Sequence, residues 1–397
     1  MSWLPPLFSL LLLCTLLFGL LPRHQPPPPA PPLRVEALGV DFEAPWNSPS
    51  FRTVDIHPSE YTDQGGVAWT SSSRPKLVLA PLESGTYLAQ FSVRRALLPQ
   101  QIPAFALQVN GQPVSLTSTR SRFPYTASGL VQLAGSGPTR IEWQAPEAQQ
   151  PSALGLGKDS RRLGVLLDEV SLTPFPGTQQ ASSWQYPEGQ MVLFNPGPRS
   201  HLLLAASAAP QVILNGRPLT LRPLANAFEA PLPAAPQGAL LQFQVRGAFQ
   251  QLWVYDPQHL RCPAQAIPVQ SGWSSCVSDG LARPFRRIGQ QAITLPLQLR
   301  GPGPVTIRIR LLRRNHPDFP VYLPVRFVPA PPPRLELTLG DLPVPLDCSS
   351  TPWEHLYQGQ VHQLPERPVA LTLSAPPNTA VSSLDITPAS APSAKSR

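Results

Sequence analysis

Apolar residues alternate with polar ones in short bursts along most of this chain, and one burst recurs. In Phe105-Ala-Leu-Gln-Val-Asn-Gly-Gln-Pro-Val-Ser-Leu116, Leu107 and Val109 precede Asn110-Gly111. Val114 and Leu116 follow it at the two-residue spacing of a half-buried strand pair. Asn-Gly suits a tight turn because both residues tolerate positive φ. Val212-Ile-Leu-Asn-Gly-Arg-Pro-Leu-Thr-Leu221 repeats the pattern, and Leu337-Thr-Leu-Gly-Asp-Leu-Pro-Val-Pro-Leu346 is a third version. A proline stands one residue beyond each turn pair, at Pro113, Pro218 and Pro343.

The runs flanking these hairpins extend the likeness. Around the first lie Leu77-Val-Leu79, Tyr87-Leu-Ala-Gln-Phe-Ser-Val93, Ile141-Glu-Trp143 and Val165-Leu-Leu-Asp-Glu-Val-Ser-Leu172. Around the second lie Met191-Val-Leu-Phe194, His201-Leu-Leu-Leu204, Leu240-Leu-Gln-Phe-Gln-Val245 and Leu252-Trp-Val-Tyr255. The third has Ile293-Thr-Leu295, Val305-Thr-Ile-Arg-Ile-Arg310, Val369-Ala-Leu-Thr-Leu373 and Leu384-Asp-Ile386. Short strands at this spacing, separated by turn residues, predict an all-β chain of tandem antiparallel β-sandwich units, jelly-roll or immunoglobulin-like. The expected units are residues 34–175, 176–258 and 259–388, the last with a cysteine-containing entry loop.

Residues 3–21 form an almost unbroken apolar run, near the length needed to cross a bilayer as a helix. The first basic side chain, Arg23, comes after the run, and no small-x-small cleavage site precedes it. Residues 1–22 therefore read as a hydrophobic signal-anchor helix, the alternative being a cleaved signal peptide. Residues 23–33 are rich in Pro and predict an extended spacer. Residues 389–397 are mostly Ala, Ser and Pro and predict a disordered tail. The expected location is a cell membrane crossed once, with the bulk of the chain extracytoplasmic. A secreted protein is the alternative.

Composition strengthens the β reading. The 397 residues include 55 Pro and 25 Gly, yet 42% are apolar, enough for packed cores between Pro-rich turns. The formal charge is +8, but only 14% of residues are charged, and Lys occurs only at Lys76, Lys158 and Lys395. That sparse distribution argues against a nucleic-acid partner and suits an anionic surface.

No catalytic motif stands out. The chain has no Gly-x-Ser-x-Gly elbow, no His-Glu-x-x-His, no phosphate loop and no dinucleotide fingerprint. Asp168 beside Glu169 is weak support for a glycosidase. No cofactor and no metal site are expected. Trp46, Trp273 and Trp353 stand among Pro and Ser in apparent loops, where an exposed ring can stack on a sugar face. Trp143 shares its face with Ile141 and reads as core. Asp159 and Arg161, in a loop with Gly155, Gly157 and Gly164, suit either sugar hydroxyls or an ion pair that ties the loop down. Arg308, Arg310, Arg313 and Arg314 form the densest basic run, either a solvated strand face or a contact for an anionic glycan or lipid. Cys262 and Cys276 flank a turn-rich segment that a disulfide can close if the chain is exported; Cys348 is left over.

Residues 40–175 resemble an uncharacterised β-sandwich domain of bacterial envelope proteins, found on extracytoplasmic parts of membrane glycosyltransferases. The matching elements are Pro58-Ser-Glu-Tyr61, Gly65-Gly-Val-Ala-Trp-Thr70, Val109-Asn-Gly111 and Asp159-Ser-Arg-Arg-Leu-Gly164. The general shape is similar to carbohydrate-binding modules. Neither a multi-span membrane segment nor a catalytic domain accompanies it here. The expectation is a non-catalytic binding or scaffolding element in a cell envelope. Its partners would be the membrane, through the N-terminal helix, and an envelope polysaccharide or a protein that handles one. The alternatives are a structural or assembly protein contacting other envelope proteins and, further off, a glycan or ester hydrolase.

Overall fold

The computed structural model describes residues 38–41, 52–58, 60–62, 65–98, 105–118, 122–183, 185–224, 227–257, 259–264, 267, 277–278, 284–289, 292–299, 304–313, 331–351, 354–364 and 369–389. The apolar run, the Pro-rich spacer and all of the predicted tail but Ala389, whose N–H donates to Pro304 O, lie outside them. Among the described residues no helix is long and apolar enough to cross a membrane.

The described chain is built of strands. The first set is β1 (Leu38–Asp41), β2 (Arg52–Val54), β3 (Glu60–Thr62), β4 (Gly65–Trp69), β5 (Lys76–Leu79), β6 (Gly85–Ala96), β7 (Leu107–Val109), β8 (Gln112–Val114), β9 (Tyr125–Leu133), β10 (Thr139–Trp143) and β11 (Val165–Pro174). The second is β12 (Gln179–Ser182), β13 (Gln190–Phe194), β14 (His201–Ala205), β15 (Gln211–Leu214), β16 (Arg217–Leu219), β17 (Arg222–Pro223), β18 (Phe228–Pro231), β19 (Leu240–Arg246) and β20 (Gln251–Tyr255). The third is β21 (Leu260–Pro263), β22 (Val277–Ser278), β23 (Pro284–Arg287), β24 (Ala292–Leu299), β25 (Val305–Leu312), β26 (Glu336–Leu339), β27 (Leu342–Val344), β28 (Asp347–Ser350), β29 (Glu354–Val361), β30 (Val369–Ser374) and β31 (Ala380–Pro388).

Each set makes two antiparallel sheets, and the strand order repeats. One sheet contains β4-β11-β6-β9 in the first set, β12-β20-β14-β18 in the second and β23-β31-β25-β29 in the third. The other contains β5-β10-β7-β8, β13-β19-β15-β16 and β24-β30-β26-β27. The strands β1, β2, β3, β17, β21, β22 and β28 are additions at sheet edges or beside β11 and β31. The two sheets of a set pack face to face. Phe91 on β6 meets Trp143 on β10 at 5.4 Å between ring centroids. In the second set Leu202, Leu204, Leu252 and Val254 share one buried cluster with Val212, Leu214, Leu241 and Phe243 from the opposite sheet.

The repeated burst forms a hairpin at the same position each time, and its residue types have distinct structural reasons. Asn110 and Gly111 take φ of 51° and 78°, and Asn215 and Gly216 take 48° and 79°, as a turn with two left-handed residues requires. The asparagine also extends the ladder to the next strand. Asn110 N–H donates to Arg140 O, and Arg140 N–H donates to Asn110 Oδ1 at 2.7 Å. Asn215 brackets Gln242 in the same way, its Oδ1 accepting at 2.9 Å. In the third hairpin Gly340 takes φ of 56° and only its backbone reaches the neighbour, at Ala370 O.

Continuous apolar runs mark a departure from simple alternation. Leu202, Leu203 and Leu204 are all fully buried, as are Leu252 to Tyr255, because the β14 and β20 sheet is covered on both faces. Leu203, Trp253 and Tyr255 point away from their own sandwich core. They join the cluster that holds Ile307, Ile309, Leu337, Leu371 and Leu384 of the third sandwich. A smaller contact of Leu88 and Phe175 with Phe194 links the first sandwich to the second.

Candidate functional site

Three of the four sequence elements that carried the family resemblance meet at one corner of the first sandwich. Arg161 Nη1 lies 2.7 Å from Glu60 Oε1, and Nη2 lies 2.7 Å from Asp159 Oδ2. The Arg161 backbone N–H donates to Asp159 Oδ1 at 2.9 Å, closing the loop on itself. Those hydrogen bonds from Arg161 hold the Asp159 carboxyl down at about 2, well below the ordinary carboxylate range. The His57 ring lies 2.8 Å from Arg162 O. The loop enters β11 beside Thr70, whose Oγ1 accepts from Val165 N–H at 3.0 Å. A Cβ on Gly164 would come within 2.5 Å of that oxygen, so glycine is required there. Asp159 and Arg161 are thus a surface strut between the closing loop and β3.

The third sandwich presents a different arrangement on the outward face of the β25 and β31 sheet. Along β25, Val305, Ile307, Ile309 and Leu311 enter the core, and Arg308 and Arg310 turn the other way, half-buried. Register then aligns side chains across the strands. Arg261 on β21 and Arg308 on β25 stand opposite Asp385 from its two sides, and Gln358 and Asp347 continue the row on β29 and β28. Arg308 Nε donates to Gln358 Oε1 at 3.1 Å. In the adjoining row Arg310 lies opposite Ser383, and its Nη1 pairs with Glu354 at 2.7 Å. Arg313 donates to Thr351 O at 2.6 Å.

Asp385 is the unusual member of this row. No described residue hydrogen-bonds or ion-pairs with its carboxylate, although Arg261 and Arg308 flank it and Arg310 is near. Burial pushes its carboxyl up to about 6, against the pull of Arg261, Arg310 and Arg308. The Ser383 hydroxyl, on the same face, is buried and meets no hydrogen-bond partner. Pattern reading flagged the arginines but not Asp385, Ser383, Gln358 or Arg261. The Leu384-Asp-Ile386 alternation shows that Asp385 faces outward, but only the pairing shows what it faces.

No protein-family model matches the chain. No curated protein matches it either. Among solved structures it is similar to a chain in the complex of the plant peptide RALF23 with FER and LLG2. The identity is 8%, over 85% of this chain and 88% of that one, with a TM-score of 0.22. The ANX2 ectodomain from Arabidopsis thaliana gives 8%, 86%, 88% and 0.20 in the same order. A conserved protein of unknown function from Pseudomonas aeruginosa PAO1 gives 12%, 51%, 96% and 0.16. Superpositions this loose carry no argument about function.

The remaining expected site residues divide into those described and those not. Trp46, Trp273, Trp353, Arg314 and Cys276 lie outside the described residues. Trp69, Trp143 and Trp253 are all buried. Cys262 is a free thiol, fully buried, with Sγ 3.1 Å from Thr178 Oγ1, and burial pushes it up to about 12. Cys348 is free and exposed. Among the described residues no group of acidic, His or Cys side chains has the arrangement of a metal site. Asp168 falls where the β6 and β11 register shifts, and it pairs with Arg94.

A second polar cluster sits in the middle sandwich. Glu229 is buried, with Oε2 at 2.7 Å from Arg222 Nη2, Oε1 accepting from Tyr255 Oη at 3.1 Å, and His201 Nδ1 at 3.3 Å. Its carboxylate is fully engaged, which suits a structural anchor. The Arg261, Asp385 and Arg308 row differs because its donors and acceptor face one another without closing. Uncommitted groups of both kinds along a sheet face can hydrogen-bond a hydroxyl-rich ligand.

Proposed function

We propose that the protein is a non-catalytic binding or scaffolding element of a cell envelope, held to the membrane by residues 1–22 and extracytoplasmic thereafter, with a glycan as its ligand. The repeated strand order, two four-stranded sheets joined as β4-β11-β6-β9 over β5-β10-β7-β8, supports reading each unit as a jelly roll. The observation that carries the glycan reading is the row of Arg261, Asp385, Arg308 and Gln358 across four strands, its donors and acceptors largely uncommitted. Protein-binding sheet faces rely on apolar centres with aromatic anchors, and none lies in this row.

The reading is tested by presenting the full chain to a glycan array. Saturable binding is expected, weakened in Trp273→Ala or Trp353→Ala if those rings add a stacking platform. Turnover of any arrayed glycan would sink the non-catalytic part. The anchor is tested by sequencing the N-terminus of the protein recovered from membranes, where a start beyond Leu21 would show cleavage. The scaffolding alternative draws on the shared core of the second and third sandwiches, which stiffens the chain. A stable protein complex without glycan binding would favour it.

A further inference from the structure

Resting on that reading, we propose that the Arg261, Asp385, Arg308 row of the third sandwich, with Ser383 beside it, is a subsite for an acidic polysaccharide, one that carries carboxylates as well as hydroxyls. The row runs across β28, β29, β25, β31 and β21 in the order Asp347, Gln358, Arg308, Asp385, Arg261. Five strands at the usual spacing of about 4.8 Å make it roughly 19 Å long, enough for several sugar rings laid perpendicular to the strands.

Its chemistry is mixed along that length. Asp347 and Asp385 accept, Arg308 and Arg261 donate, and Gln358 does both. A sugar hydroxyl also donates and accepts, so a chain of rings can complete each gap between neighbours. The hydrogen bond to Gln358 uses only Nε of Arg308, and its two amino groups make no bond to a described residue. Arg261 is exposed, and its side chain makes none. Across β25, β31 and β21 two guanidiniums flank one carboxylate, which leaves a local positive surplus at the Arg261 end of the row, with Asp347 at the opposite end. A planar carboxylate on the ligand fits a guanidinium through paired, charge-assisted bonds. Ser383, 7% exposed and with an unpartnered hydroxyl, supplies a polar floor beside Asp385.

A membrane surface fits this face less well. Arg308 is half-buried between strands, and no exposed apolar side chain accompanies it and the exposed Arg261 in the row. Burial and the guanidiniums of Arg261 on β21 and of Arg310 and Arg308 on β25 set the charge at Asp385, while Glu354 on β29 pairs with Arg310 and the buried Cys262 thiol on β21 stays neutral. Protonating Asp385 raises the positive surplus, so an anionic ligand should bind more tightly as pH falls through about 6.

The experiment measures binding of the full chain in nonionic detergent to polygalacturonate, neutral dextran and vesicles containing phosphatidylglycerol. Saturable polygalacturonate binding is expected, with Arg261→Ala and Arg308→Ala each weakening it by about tenfold. Asp385→Asn should tighten it near neutral pH and flatten its pH dependence. Arg161→Ala, on the distant surface strut, should leave it unchanged. Dextran bound as well as polygalacturonate would overturn the acidic ligand and leave the glycan reading standing. Polygalacturonate binding indifferent to both arginines would overturn the site. Binding to vesicles alone, or to nothing, would overturn the inference and the glycan reading together.

Discussion

Asp385 stands between two arginines that do not close on it, and the consequence is a carboxyl that resists ionisation in the fold. Its folded-state value of about 6 exceeds the ordinary 3.8 because burial outweighs the attraction of Arg261, Arg310 and Arg308. A raised carboxyl value means that the neutral form suits the fold better than the charged one. The associated stability is fully present below 3.8 and is lost as pH rises through about 6. The shift corresponds to at most about 3 kcal/mol. Asp385→Asn is therefore expected to raise the thermal midpoint near pH 8, with the gain vanishing near pH 4. A difference of the same size at both pH values would refute the assignment. Asp159 shows the opposite case, where Arg161 hydrogen bonds hold the carboxyl down. Both residues sit next to arginine, and burial without a closed hydrogen bond at Asp385, against a bonded surface position at Asp159, separates them.

Each repeated hairpin ends in an edge strand, and there its proline has a physical purpose. Val109 pairs with Gln112 across the turn, so Gln108 and Pro113 form the next pair, whose backbone N–H positions face outward. Ile213 with Pro218 and Thr338 with Pro343 keep that register. Pro113, Pro218 and Pro343 are all exposed, and each removes a donor from an open sheet edge. Replacing all three by Thr is expected to change the thermal midpoint little and to promote concentration-dependent self-association. Sedimentation velocity measures the latter, and an unchanged monomer at every concentration would count against the edge argument. The hairpins and the strongly apolar strands were legible in sequence. β9, β18 and β29 were not, although they hold equivalent places. Their sequences are short or interrupted by polar residues and glycine. Gly129 and Gly359 are there because a Cβ would meet Ser115 O at 2.4 Å and Pro345 O at 2.7 Å. Tertiary crowding selected residues that local propensity reads as loop.

At the scale of the molecule, the middle sandwich shares its core with the third. Leu203, Trp253 and Tyr255 belong by chain position to one and by packing to the other. Leu203→Glu would place an unpaired charge in that contact, at a cost of more than about 3 kcal/mol. Calorimetry is expected to show a cooperative transition for the two sandwiches together, split by Leu203→Glu into separate ones. A wild-type profile already split would contradict the shared core. The sequence by itself determined the β class, the hairpin repeat and the identity of its turn residues, because period-two alternation, positive φ and missing donors act within a few residues. Tertiary structure alone decided that Asp385 faces Arg261 and Arg308, residues 124 and 77 positions away in the chain. It also decided that the uninterrupted apolar runs of β14 and β20 serve two cores. Strand pairing and sheet packing join distant segments, and no local pattern records which partners they find.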